Sequence, residues 1–187
     1  GGVAGDNITT GDYNIIIGSG VDAASATDDN QLRIGGGWIV GSSGQITMPS
    51  QPAFQVNPAS DQDNIAVGSN VTVVLGTEVF DQNADFASNA FTAPVDGKYQ
   101  LNLSLYIKNL DTASDYYVIR IVTSNRAYAV VIDPGAFSGD PVYWNIPLCV
   151  LADMDASDTA YVDINQASGT AQTDIFTGTI FSGYLAC

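Results

Sequence analysis

Three groups of side chains in this sequence have types and spacings that chemistry could use. Asp81-x-Asn83-x-Asp85 matches the opening of a calcium loop, in which alternate oxygen ligands wrap a hard cation. The match stops there. The sixth position is Phe86 where such a loop needs Gly, and the twelfth is Thr92 where it needs a bidentate Glu, so an Asx-rich turn is expected. Asp153, Asp155 and Asp158 are the candidate metal ligands: three carboxylates on one turn can hold calcium or magnesium, against the alternative of solvated turn acids. Paired carboxylates can also hydrolyse glycosides, but that requires one acid in an apolar pocket with a raised pKa, facing a second. Glu78 is the one Glu, and the Asp residues stand in turn contexts, so the chain reads as non-enzymatic with no organic cofactor. The absence of histidine excludes His-dependent triads and imidazole metal sites. Tyr116-Tyr117 and Tyr143-Trp144 suit binding better, since aromatic faces stack on sugars or fill partner pockets; in an alternating strand one of each pair belongs to the core.

A net charge of -15, with five bases scattered along the chain, argues against nucleic-acid binding, which needs clustered Lys and Arg. No long apolar run suggests membrane insertion, and the start at Gly1-Gly2 reads as that of a fragment. Cys149 and Cys187 read as buried or free thiols more readily than as a disulfide framework.

The elements that must position these groups are strands. Tyr99, Leu101, Leu103 and Leu105 alternate with Gln100, Asn102 and Ser104, which is one half-buried strand, and Asp96-Gly97 before it suggests a tight reversal with positive φ. Further strands are expected at residues 53–56, 70–75, 116–123, 127–132, 142–151, 160–164 and 176–185, separated by Gly, Pro, Asn, Asp and Ser. Nowhere does helical periodicity persist, so the class is all-β. Residues 1–50 differ. Asn14 to Gly18 and Asn30 to Gly35 share the frame N-x-[apolar]-x-I-G, aligned on Ile17 and Ile34, which predicts a small β-repeat stem stacked on neighbours from the same or other chains. Residues 38–45 read as a closing hairpin, and Met48-Pro49-Ser50-Gln51-Pro52 as a hinge into a second domain over 51–187.

Phe91-Thr92-Ala93-Pro94-Val95-x-Gly97-x-Tyr99 and the closing Phe181-Ser182-Gly183-Tyr184-Leu185 resemble the globular head of the complement-q and tumour-necrosis-factor-like family over residues 51 to 187. The family's usual Gly-Asp before its seventh strand is Ser157-Asp158 here. The resemblance implies a ten-stranded jelly-roll sandwich, assembled as a homotrimer and serving recognition. It places Gln100, Asn102, Ser104 and Phe181 near a three-fold axis. The frame of residues 1–50 is similar to repeats of phage tail-fibre stems and of trimeric autotransporter heads.

Together these features give a trimeric receptor-binding tip, the end of a phage tail fibre, acting on a host cell-surface glycan or protein. The alternatives are a secreted bacterial surface or spore-coat protein with the same head, and a polysaccharide hydrolase. Strand parity puts residues 109–115, 133–141 and 166–172 at the end far from the stem. The candidate receptor-contacting residues there are Asp111, Thr112, Asp115, Phe137, Asp140, Ser168 and Thr170, with Phe137 expected to be exposed. Residues 96–97, 124–125 and 153–158 fall at the base.

Overall fold

A computed structural model describes residues 2–35, 39–42 and 45–187. The chain divides into two units, Gly1–Gln51 and Pro52–Cys187. In the first, four short strands form one sheet: β1 (Ile15–Ile17), β2 (Leu32–Ile34), β3 (Ile39–Ser42) and β4 (Gln45–Thr47). β1 and β2 run parallel, with Ile15 opposite Leu32 and Ile17 opposite Ile34, the alignment that the repeat frame gives. Parallel neighbours so close in sequence require the chain to coil. Asparagines of the frame join one coil to the next: Asn7 exchanges two hydrogen bonds of 2.9 Å with the backbone of Ala23, and Asn14 accepts one of 2.7 Å from the Gln31 N–H. β3 and β4 pair as the strands of the expected hairpin, whose Trp38, Ser43 and Gly44 lie outside the described residues.

The second unit is a sandwich of two six-stranded sheets. Its strands are β5 (Ala53–Asn57), β6 (Asn70–Thr72), β7 (Thr77–Gln82), β8 (Phe86–Ala87), β9 (Ala90–Thr92), β10 (Gly97–Lys108), β11 (Tyr117–Thr123), β12 (Ala127–Ile132), β13 (Tyr143–Met154), β14 (Thr159–Gln166), β15 (Asp174–Ile175) and β16 (Ile180–Leu185). One sheet runs β13-β10-β16-β5-β7, with β15 also on β10; the other runs β12-β11-β14-β9-β8, with β6 also on β14. The two-residue strands β8 and β15 account for the excess over the expected ten. Pairing within both sheets is antiparallel, and the inward residues follow the period of two. Tyr99, Leu101, Leu103, Leu105 and Ile107 of β10 face Tyr117, Ile119 and Ile121 of β11 and Ala160, Val162 and Ile164 of β14 within one core. Pro147 is tolerated in β13 because that strand is an edge.

The two motifs that carry the family resemblance meet in this core. Phe54 stacks on Phe91 at 4.7 Å and meets Phe181 edge-on at 5.2 Å, while Phe91 packs on Tyr99 at 5.4 Å. Gly183 lets the strands close around that cluster, since a Cβ there would stand 2.7 Å from Leu101 and 2.8 Å from the Phe54 ring. Phe181 is therefore fully buried inside the sandwich, not on its outer face as expected, because its register partner Leu103 is an inward residue. Gly97 also departs from expectation. Its φ is not positive; its role is close approach, a Cβ falling 2.5 Å from Leu185 Cδ1 and 2.8 Å from the Cys187 carbonyl. Ser157 takes a left-handed φ of 77°, a conformation that glycine adopts most readily.

Candidate functional site at the tip of the sandwich

Register fixes which loops share an end. Ala53 lies opposite Tyr184, Tyr99 opposite Leu185 and Gly97 opposite Met154, so the unit's termini and the turns at 94–97, 124–126 and 155–158 occupy one end. Residues 109–116, 133–142 and 167–173 occupy the other. They interlock there. The Thr112 N–H and hydroxyl both donate to one oxygen of Asp140, and Gln172 Nε2 donates to the other at 2.8 Å. The Asp115 N–H donates to Ser168 Oγ at 3.0 Å. The bonds from Thr112, its hydroxyl foremost, and from Gln172 hold the Asp140 carboxyl below the usual carboxylate range.

Beneath this surface lies a buried lock. Asp111, only 4% exposed, accepts from the N–H groups of Ala113 and Thr170 and, at 3.4 Å, from Gln166 Nε2. Gly169, at φ 89°, passes so close that a Cβ would stand 2.2 Å from Asp111 Oδ2. Gln166 also donates to the carbonyls of Ser168 and Thr170 at 3.0 and 2.8 Å. The Tyr117 hydroxyl joins Thr173 Oγ1 at 2.7 Å, and its pKa is raised by burial.

Six of the seven candidate contact residues thus fall in one hydrogen-bonded network, but they divide by exposure. Asp115, Asp140 and Thr170 are exposed and Thr112 and Ser168 half-buried, whereas Asp111 is buried, its carboxylate consumed by the loops it ties. Phe137 is half-buried, its ring edge-on to Trp144 at 4.8 Å and packed against the core, so it is not the exposed aromatic expected. Tyr117 is the buried member of its pair and Tyr116 the exposed one; Tyr143 and Trp144 are both exposed. Sequence reasoning missed Gln166, whose signal is a polar side chain at the inward register of Ala160, Val162 and Ile164.

Elsewhere the expected chemistry does not assemble. Asp153 pairs with Lys98, and Asp158 accepts from the Asp155 N–H and from Asn125 Nδ2, both at 2.9 Å, so two of the three candidate metal ligands are already engaged. Among the described residues no three such side chains stand close enough to hold a metal ion. Asp81 closes on its own turn, accepting from the N–H groups of Asp85 and Phe86. Cys149 and Cys187 are free and exposed.

On the outer face of the first sheet, Gln100, Asn102 and Ser104 are flanked in register by Leu151, Cys149 and Pro147 of β13 and by Tyr184, Ser182 and Ile180 of β16. That grid holds no charged side chain. Leu151 and Tyr184 are 56% and 48% exposed within it.

Two antiparallel sheets in this order, closed over one aromatic core, make the second unit a sandwich whose fold resembles the jelly roll of complement-q and tumour-necrosis-factor-like domains. The solved structures it is similar to include the globular domain of zebrafish complement 1qA protein, at 16% identity and TM-score 0.55, covering 73% of this chain and 98% of that one. Murine APRIL, solved at pH 8.5 and pH 8.0, matches at 10% identity with TM-scores of 0.51 and 0.53, covering 72% of this chain and 98% of that one. No family model and no curated protein sequence matches the chain.

Proposed function

We propose that this protein is a non-enzymatic, homotrimeric receptor-binding tip, the terminal part of a phage tail fibre that attaches the virion to a host cell surface. The observation that carries the reading is the interlocked tip: three loops from different parts of the sequence are fixed as one polar surface at the end opposite the unit's termini. Recognition residues concentrate on loops held by a rigid scaffold. Assembly is supported by faces that lack charge in a chain of net charge -15. One is the grid around Gln100, Asn102 and Ser104. The other is in the first unit, where Ile15, Leu32, Gly41 and Ile46 form one row and Ile17, Ile34 and Ile39 the next. Ile15, Ile17 and Ile46 are 56%, 53% and 68% exposed there, while Val21 and Ala23 are the buried apolar residues of the unit among those described. A coil whose aliphatics are mostly exposed or half-buried needs partners to cover them, and further copies of the same chain are always present when it folds.

The test exchanges residues 109–116, 133–142 and 167–173 together for those of a relative with a different host, and measures attachment of the purified protein to both bacterial strains, with light scattering as a check on assembly. The expected result is a trimer whose strain preference follows the loops. A chimera that stays trimeric and still binds the original strain would overturn the assignment. Release of sugar from host polysaccharide by the native protein would replace this reading with that of a hydrolase.

A further inference from the structure

Beside the interlocked loops the second unit carries an open hollow of about 370 Å³, lined by Asp63, Asn64, Asn109, Asp140, Gln172 and Asp174. Part of its hydrogen-bonding capacity is already spent. Asp174, 8% exposed, accepts from the Asn64 N–H at 2.8 Å and from Asn109 Nδ2 at 2.9 Å. Gln172 spends its donor on Asp140 and on the Asn109 carbonyl. The Gln172 amide and one N–H of the Asn109 amide are thus turned onto the protein, which leaves Asn109 Oδ1 and Gln172 Oε1 open to a ligand. The exposed Asp63 carboxylate has no protein partner among the described residues. The nearby cation, Lys108, is engaged by Asp61 and lies 4.3 Å from the centre of the Phe176 ring.

The hollow therefore offers three carboxylates and the amide oxygens against the side-chain amide of Asn64 and one N–H of Asn109, so its net charge is negative and it favours a ligand that brings donors. A bare metal ion does not fit, because the carboxylates do not converge on a point. The volume lies at the lower end of the roughly 300–1,000 Å³ of small-molecule sites, which suits one or two sugar rings better than a peptide. An apolar neighbour is at hand. Lys108, which precedes Asn109, is the register partner of both Tyr143 and Asp174, and Tyr143 packs with Tyr106 and Phe176 edge-on at 6.2 and 6.1 Å. Tyr143 remains 55% exposed, a face on which sugar C–H groups can rest.

We propose that this hollow binds a neutral or amine-bearing sugar of a cell-surface glycan through its hydroxyl and amine donors, and that it rejects sugars carrying carboxylate, sulfate or phosphate. The proposal rests on reading this end of the sandwich as the receptor-contacting one. It is tested by saturation-transfer NMR on the full chain with the methyl glycosides of glucose, galactose, glucosamine and glucuronic acid. At least one of the first three should receive saturation, with the glucuronide at least tenfold weaker. Asp63→Ala should cut the signal at least tenfold without moving the melting temperature, and Asp63→Lys should reverse the preference toward the glucuronide. Silence from all four probes, a glucuronide that binds native protein as well as the others, or variants that bind as native protein does would each overturn the proposal. Cell attachment measured on the same variants separates the two readings: attachment that persists without any sugar signal overturns the sugar site and leaves the tip assignment standing.

Discussion

Replacing Asp111 by Asn tests whether the tip is a rigid surface or a set of independent loops. The carboxylate receives the N–H groups of Ala113 and Thr170 and the Gln166 side chain in a position 4% exposed. An Asn of the same shape can keep the Ala113 bond through its carbonyl, but its amide group then meets the donors of Thr170 and Gln166. Hydrogen bonds to a charged acceptor contribute about 1.5–3 kcal/mol each, and buried donors left unsatisfied carry a similar penalty. With two such bonds lost and some relief from loop relaxation, the expected cost is about 3 kcal/mol. A melting entropy of about 2.1 cal/mol/K per residue gives Pro52–Cys187 about 0.3 kcal/mol/K, so the melting temperature should fall by about 10 °C. Asp111→Ala strands the Ala113 donor as well and should cost at least as much as the Asn variant. Circular dichroism melts give the comparison. An Asn variant within about 0.5 kcal/mol of native protein would refute the lock.

Three further predictions concern the scaffold. Arg120 forms a bidentate pair with Asp163 at 2.7 Å for both bonds, and Asp163 is 3% exposed, so Arg120→Met should cost about 3–5 kcal/mol in urea unfolding by stranding a buried charge. Adding Asp163→Leu should recover most of that, and a single variant without loss would show the pair to be idle. Gly97→Ala places its Cβ against Leu185 and the Cys187 carbonyl and should cost about 1–3 kcal/mol; an unchanged denaturation midpoint would contradict the close-approach role. The pH profile should have two limbs. Asp61, Asp140 and Asp153 are held below 3.8, chiefly by Lys108, the Thr112 hydroxyl and Lys98 respectively, so their stabilisation is complete above that value and is lost as pH falls below it. Asp85 is raised, by burial first and the Asp81 charge second, so its ionised form opposes folding at neutral pH and that opposition fades as pH falls through its raised value. Stability of the second unit should therefore rise as pH falls from neutrality through the raised Asp85 range, and then decline as the lowered carboxylates protonate. In Asp85→Asn the rising limb should vanish; its persistence would exclude Asp85 as the cause.

What could be read in advance follows the range of the interactions involved. The β10 alternation, the repeat alignment of Ile17 with Ile34, and the two aromatic motifs are patterns local in sequence, and each became an element or a core contact. Parity of successive antiparallel strands put the three loops at one end, because it needs only the order of strands. What parity cannot give is which loop side chains turn inward. Asp111 and Asp115 look alike in the sequence, yet one is the buried lock and the other is exposed; the difference lies in Gly169 and Gln166, more than fifty residues away. Phe181 was misplaced for a related reason. An F-S-G motif names a strand but not its register, and only the pairing with Leu103 shows which face the ring takes. Asp63, Asn64 and Asp174 carried no signal as a group, since nothing local links the 57–65 connection to β15.

The division of the tip into lock and surface limits how its specificity can change. Asp63, Asp115, Asp140 and Thr170 are exposed. Exposed polar positions usually tolerate replacement within about 0.5 kcal/mol, so they are free to vary with the ligand, save that Asp140 also holds Thr112 and Gln172. Asp111, Gln166, Gly169 and Tyr117 are not free in that sense, since each serves the others. The Asp111 carboxylate fits only beside a residue without Cβ, and the Gln166 donor is satisfied only by Asp111 and the carbonyls of the 167–173 loop. Loops 109–116 and 167–173 must therefore change together or keep this set intact. Exchange of 167–173 alone, from a relative lacking a glycine at position 169, should disorder both loops and abolish attachment to either host strain. The paired exchange should transfer it.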